Sequence, residues 1–228
     1  MEYESIIPAK FIIRDNRFIA TVKIGERIEK VHVKNTGRCR ELLVEGATVY
    51  LSRGREGRKT AYDLVAVEKK TKIGIKLINM DSFAPNLMVG EWLRGGLFSQ
   101  GAKVTPEYRY GASRIDFYVE DGDRRALIEV KGVTLEENGV ARFPDAPTER
   151  GRKHLRELMA AREEGYEAYI IFVIQLESVS SFVPNYDTDP AFALLLADCK
   201  NMGVRVFAYK SSVTPQGAHI TDPVSIFI

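Results

Sequence analysis

The sequence predicts an α+β protein of two domains: an OB-like β-barrel over residues 1–80, then an α/β domain with a mixed sheet over residues 81–228. Three observations lead there. Residues 10–78 break into short runs rich in β-branched and aromatic side chains, with no helical spacing. Residues 167–175, EAYIIFVIQ, form a nearly continuous apolar run, the pattern of a strand covered on both faces. Charge also changes sign between the parts. Residues 1–80 hold 17 Lys and Arg against 10 Asp and Glu, net +7, whereas residues 81–228 hold 16 against 21, net −5.

Composition narrows the class of protein. A chain of 228 residues with 45% hydrophobic content can bury one large core or two small ones. No apolar run approaches the roughly 20 residues of a membrane span, and Met1–Lys10 lacks the charged start and apolar centre of a signal peptide, so a cytoplasmic protein with no membrane partner is expected. The two cysteines, Cys39 and Cys199, are far apart and lack metal-ligand spacing, which argues for packing residues. His32, His154 and His219 are scattered, which argues against a zinc hydrolase or a Ser-His-Asp triad.

Within the first part, KFIIRD, RFIATVKI, RIEKVHVK, ATVYLSR, DLVAVEKK and KIGIKLI read as strands separated by turns at Asp15-Asn16, Gly25-Glu26, Gly54–Gly57 and Lys70–Lys72. Five or six strands in so short a stretch must close to bury their apolar faces. An OB-like barrel is the economical closure, with an SH3-like barrel as the competitor. The loop Asn35–Leu42 carries Arg38 and Arg40 beside Gly37, and the loop Arg53–Lys59 carries Arg55 and Arg58. Guanidinium groups on glycine turns suit phosphate contacts along a nucleic-acid backbone, although such loops also serve only solubility.

From Asn79 to Thr105, Pro85-Asn86 opens a short helix with Leu87, Trp92, Leu93 and Leu97 at helical spacing and one acid, Glu91. Lys103–Tyr110 is a candidate strand. The stretch Ser113–Gly132, SRIDFYVEDGDRRALIEVKG, then reads as a β-hairpin turning at Asp121-Gly122. That turn pairs Glu120 with Asp123 and Val119 with Arg124, and sets Asp116 opposite Leu127. By alternation Asp116, Glu129 and Lys131 share one face, while Ile115, Phe117, Ile128 and Val130 point to the other. Two carboxylates at close range repel unless a cation separates them. Mg²⁺ or Mn²⁺ would resolve the conflict, with Glu91 as a third acid if its helix packs beside the site. A solvated Glu129–Lys131 surface pair is the ordinary alternative, because E-x-K is a common tripeptide.

Val133–Pro147 reads as a polar loop. Thr148 caps a helix running to Glu164, with Leu155, Leu158, Met159 and Ala161 as its buried stripe and Gly165 as its stop. Arg150, Arg152, Lys153, His154 and Arg156 crowd its first two turns, where cations oppose the helix dipole; a phosphate backbone would offset them, and Glu149 and Glu157 would do so through local ion pairs. Asp189-Pro190 starts the last helix, Gly203 ends it, and Val204–Lys210 is a strand parallel to residues 167–175.

The order from Leu87 onward resembles the PD-(D/E)xK nuclease-like fold over residues 84–210, with Asp116 as the motif aspartate, Glu129-x-Lys131 as E-x-K, and Ile115 where the literal motif has proline. More specifically, VKNTGRCREL at 33–42, SRIDFYVE at 113–120, IEVKGVTL at 128–135 and FPDAPTERGRKHLREL at 143–158 look like the sugar fermentation stimulation protein A family over nearly the whole chain. The resemblance implies an OB-like barrel, a nuclease-like second domain, binding of DNA with low sequence specificity, and a role in regulating sugar-utilisation genes. It places Asp116, Glu129 and Glu91 as metal ligands, with Lys131 stabilising charge or orienting water. A metal-dependent nuclease is the alternative to a regulator that only binds.

Overall fold

The computed structural model describes residues 1–228 apart from Thr36, Glu56 and Ile73, so one residue of each arginine loop, Thr36 and Glu56, lies outside the described residues. Strands β1 (Ile7–Arg14), β2 (Ile19–Ile24), β3 (Arg27–Val33), β4 (Thr48–Arg53), β5 (Tyr62–Thr71) and β6 (Gly74–Asn79) form one sheet in the order β3-β2-β1-β4-β5-β6. A parallel pairing of β3 with β5, His32 with Asp63 and Val33 with Leu64, closes the first five into an OB-type barrel. Phe11, Val22, Val31, Val49, Leu51 and Val67 fill it. Closure satisfies the ladder groups that edge strands would leave open. Strand β5 is buried from Asp63 to Val67 without alternation, and the Val65 carbonyl accepts the N–H of Met80, on the segment that leads into the second domain.

The second domain is built on a six-stranded mixed sheet, β15-β14-β12-β9-β8-β7, from β7 (Lys103–Tyr110), β8 (Ser113–Asp121), β9 (Arg124–Val133), β12 (Glu167–Ile174), β14 (Arg205–Thr214) and β15 (Gly217–Pro223). Strand β12 runs parallel to both β9 and β14. Its apolar run is buried on both faces, as the sequence predicts. Tyr169, Ile171 and Val173 pack towards helix α1 (Ala84–Leu93), and Ile170, Phe172 and Ile174 belong to the cluster that includes side chains of α2 (Glu149–Glu163) and α3 (Pro190–Asn201). The Thr148 and Asp189 side chains accept from the backbone N–H of Gly151 and Phe192, so both predicted caps are in place. Cys39 and Cys199 are free and buried. Among the described residues no helix is long and apolar enough to cross a membrane.

Three expectations change. The hairpin turns at Gly122-Asp123, with Asp121 paired to Arg124. The Asp121 carboxylate accepts from Ser99 N at 3.1 Å and Ser99 Oγ at 2.5 Å, which holds Asp121 as the last strand residue. The register therefore moves by two residues, an even number, so the faces of β9 are unchanged and Asp116 lies level with Glu129 rather than Leu127. Ile115 does not share a face with Phe117: it packs in the cluster on the α2 side, while Phe117 packs in the one on the α1 side. The polar stretch after Gly132 contains β10 (Glu136–Glu137) and β11 (Val140–Phe143), which join β13 (Ser181–Pro184) and β16 (Ser225–Ile226) in a small four-stranded sheet. Runs of two to four residues are too short to show alternation in a sequence.

A polar seam fixes the two domains to each other. Gln175 Nε2 donates to Asn79 Oδ1 at 2.9 Å and to the Asp81 carbonyl at 3.0 Å, and Lys34 Nζ donates to Asp81 Oδ2 at 2.6 Å. Asn79, Asp81 and Gln175 are all buried. Every pairing in the seam removes a penalty for burying a polar group, which favours one relative placement of the domains.

Candidate metal centre and its surroundings

The centre lies where strands β8 and β9 part. Their ladder of consecutive pairs ends at Phe117 and Ile128, and beyond it the side chain of Asp116 takes over the role of backbone acceptor. Its Oδ2 accepts the Val130 N–H at 2.7 Å, and its Oδ1 accepts Asn86 Nδ2, from the first turn of α1, at 2.7 Å. On β7, the flanking pairs Pro106–Phe117 and Tyr108–Ile115 bracket Glu107, whose φ of +55° puts it in the left-handed region. The change of face between Ile115 and Phe117 occurs across this point.

Glu129 is 2% exposed. Its Oε1 accepts Lys131 Nζ at 2.5 Å and is in short contact with His154 Nδ1 of α2, while Oε2 is buried with no hydrogen-bond partner among the described residues. Lys131 Nζ also stands 3.4 Å from His154 Nδ1. Burial alone would push the Glu129 carboxyl up, but the Lys131 ammonium and then His154 outweigh it, so it titrates below the ordinary carboxylate range. Asp116 behaves in the opposite way. Burial, then the charge of Glu129, raise its carboxyl to about 6 against the opposing pull of Val130 N–H, Lys131 and Asn86.

In this structure Lys131 and His154 supply the positive charge beside Glu129. Oxygen donors from Asp116 and Glu129, one of them buried and unpartnered, are the set that hard divalent cations favour. Asp116 opens to a groove of about 380 Å³ lined by Asn86, Leu87, Gly90, Glu91, Arg94 and Glu107, among others. A larger cleft of about 740 Å³ lies elsewhere, around Lys69, Lys76 and Glu136. There Glu136 is already satisfied by both lysines and by the Gly139 N–H, so the smaller groove has the better chemistry.

Glu91 is not brought to the pair. It lines the groove, but its carboxylate lies 2.8 Å from the Met1 ammonium and is 60% exposed. Asn86 is the α1 residue that faces Asp116, and five residues further along a helix is a rotation of about 140° away from it. Among the described residues no three His, Cys, Asp or Glu side chains converge with metal-binding geometry. Asn86 and His154 were missed by the sequence reading. His154 carried a signal, since it stands four and seven residues before Leu158 and Ala161 on the buried stripe of α2.

Residues 83–217 match the family described as the sugar fermentation stimulation protein RE domain, and residues 12–76 match the SfsA N-terminal OB domain. The chain belongs to the sugar fermentation stimulation protein family. A sugar fermentation stimulation protein homolog of Desulfitobacterium hafniense is 49% identical over 227 residues, covering 99% of this chain and 98% of the relative. One of Clostridium beijerinckii is 47% identical over 230 residues, covering 100% of both. The solved structure described as Pyrococcus furiosus SfsA in complex with Ca²⁺ superposes with a TM-score of 0.88 at 29% identity, covering 100% of this chain and 98% of that one.

In this member of the sugar fermentation stimulation protein family, the basic residues divide by what they touch. Arg38, Arg40 and Arg55 are exposed on the barrel loops. Gly37 brings the first loop against the second domain, where a β-carbon would stand 2.5 Å from Asp145 Oδ2, on the segment leading into α2. Arg58 is instead committed to Asp63 through two bonds of 3.0 and 2.8 Å, beside His32, at the strand pair that closes the barrel. Arg152 donates to the buried Asp189 at 2.6 Å and so braces the α3 cap. Lys153 Nζ reaches the Ala112 carbonyl at 3.3 Å and Glu157 at 3.7 Å, and Arg150 Nε reaches His154 Nε2 at 3.4 Å. Local protein partners thus offset much of the charge at the start of α2.

Proposed function

We propose that this protein binds DNA and that its second domain holds a divalent cation between Asp116 and Glu129, with hydrolysis of a phosphodiester bond as the chemistry this arrangement serves. The single observation that carries the reading is the buried Glu129 oxygen without a partner, on the strand next to Asp116, whose carboxyl is raised by burial and then by Glu129. Carboxylates aimed into a DNA site repel phosphates unless a cation intervenes. The Pyrococcus furiosus protein was solved in complex with Ca²⁺, which supports a site for hard divalent ions in this fold, with Mg²⁺ or Mn²⁺ as the candidates here. Such an ion would polarise a phosphoryl oxygen or lower the pKa of a bound water. In this reading Lys131 would stabilise negative charge or orient water, Asn86 would fix the Asp116 carboxylate, and His154 would hold the Glu129 carboxylate. Exposed Arg38, Arg40 and Arg55, with Arg150 at the start of α2, supply backbone contacts that do not read sequence.

A second reading, a DNA-binding regulator of sugar-utilisation genes that does no chemistry, is favoured by the pairing of Glu129 with both Lys131 and His154, which compensates its charge without an ion. One experiment separates the two. Alanine at Asp116 and Lys131 together should abolish cleavage of end-labelled DNA in Mg²⁺ or Mn²⁺ and leave electrophoretic binding nearly intact. Wild-type protein that cuts no single-stranded, duplex or branched DNA, and takes up no Mn²⁺ by calorimetry, would remove the hydrolytic reading.

A further inference from the structure

The N-terminal end of α1, whose Asn86 bonds Asp116, exposes two large apolar side chains. Phe83, the residue before the helix, is 64% exposed, and Leu87, one turn on, is 52% exposed. Side chains four apart in a helix lie on one face, and Leu87 lines the groove that Asp116 opens to. Between them Pro85 lies against Gly132, the residue after Lys131, where an added β-carbon would stand 2.8 Å from Pro85 Cγ. Asn86 binds Asp116 directly. Leu87 therefore stands at the mouth of the groove, with Phe83 one turn before it.

Its other side is basic. Lys34 Nζ lies 5.4 Å from the centroid of the Phe83 ring while also bonded to buried Asp81, so the ammonium is held over the ring by the domain seam. From Lys34 the chain continues into the loop carrying exposed Arg38 and Arg40. Phe83 is also anchored, because its backbone N–H donates to Asp81 Oδ1 at 2.9 Å. An anchored aromatic ring that is 64% exposed, with an ammonium over it and a cationic loop beyond, has the composition of a base-stacking platform, in which flat apolar surface takes a base and neighbouring cations take its phosphates. Base pairs in a duplex keep their faces stacked on one another and offer none to such a ring.

We infer that Phe83 and Leu87 receive an unpaired base, so that the DNA this protein engages at the centre is single-stranded or locally unpaired. This rests on the DNA-binding reading above and names its substrate class.

The test compares wild type, Phe83→Ala, Phe83→Trp and Leu87→Ala by fluorescence anisotropy, with a labelled oligonucleotide presented as a single strand and as a perfect duplex, and with 2-aminopurine quenching on the single strand. Because Phe83 is exposed, circular dichroism should show all variants folded. The expected result is that Phe83→Ala weakens single-strand binding about tenfold and loses the quenching, Leu87→Ala weakens it less, Phe83→Trp keeps both, and duplex binding is unchanged in every case. Equal losses on single strand and duplex, or no loss in Phe83→Ala, would overturn the platform while leaving DNA binding standing. Wild type that binds neither DNA would overturn the DNA-binding reading and this inference with it.

Discussion

The Asp116 carboxylate stands in for a strand: its Oδ2 accepts the Val130 N–H at 2.7 Å just past the last consecutive ladder pair of β8 and β9. Where two strands part, the freed N–H needs a new acceptor. Supplying it from a side chain rather than a carbonyl brings a charge beside Glu129. The hydrogen bond that keeps the sheet satisfied thus also places Asp116 next to Glu129, and Asn86 holds its other oxygen.

Metal affinity should follow the protonation of Asp116. Its folded carboxyl titrates near 6, raised by burial and then by Glu129, whereas Glu129 is lowered and stays ionised. A ligand must lose its proton to bind, so Mn²⁺ affinity measured by calorimetry should fall about tenfold between pH 7 and pH 5. In metal-free protein the sign is that of a raised acid. The folded state holds the proton more tightly than the unfolded one, so stability is lost as pH rises through about 6 and regained as it falls towards the unfolded value. Asp116→Asn should flatten that part of a urea-denaturation profile and weaken Mn²⁺ binding at pH 7. An unchanged profile would show that Asp116 is not raised.

Gly132→Ala should separate folding from the centre. The added carbon would meet Gln175 Oε1 at 2.6 Å and Pro85 Cγ at 2.8 Å. The α1 start or the domain seam must then give way, at a cost of about 1–3 kcal/mol by thermal or urea unfolding. Because Asn86 moves with α1, Mn²⁺ affinity should fall as well. Undisturbed stability and affinity together would mean that Pro85 can retreat from Gly132 without moving the centre.

The arginines should sort into two classes. Arg38→Ala with Arg40→Ala should weaken DNA binding alike across sequences, lower the slope of log affinity against log salt by about 2, and leave stability unchanged. Arg152→Ala removes a cation from buried Asp189 and should cost about 1–3 kcal/mol of stability with little change in the salt slope. The reverse assignment, a salt effect in Arg152→Ala and a stability loss in the loop variant, would refute it.

Much of the fold was legible because it is written in short-range patterns. Runs of β-branched and aromatic residues between turn signals in residues 10–78 marked the barrel strands, the continuous run at 167–175 marked the sheet centre, and Thr148 and Asp189-Pro190 marked helix starts through side chains that reach only three residues along. The small sheet of β10, β11, β13 and β16 was not legible, since each member is too short to carry a period. The same holds for the face change at Asp116, which arises from the meeting of three strands.

Local pattern was enough for most of the elements, for the family they belong to, and for the presence of Glu129 and Lys131 on one face of one strand, because side-chain alternation survives a two-residue change of register. It took the packed molecule to turn Asn86 rather than Glu91 to Asp116, to bring His154 to Glu129, and to commit Arg58 and Arg152 to Asp63 and Asp189. These depend on the rotation of α1 and α2 against the sheet and on which buried acids need a cation. Packing of the whole core sets both, and no local stretch of chain encodes them.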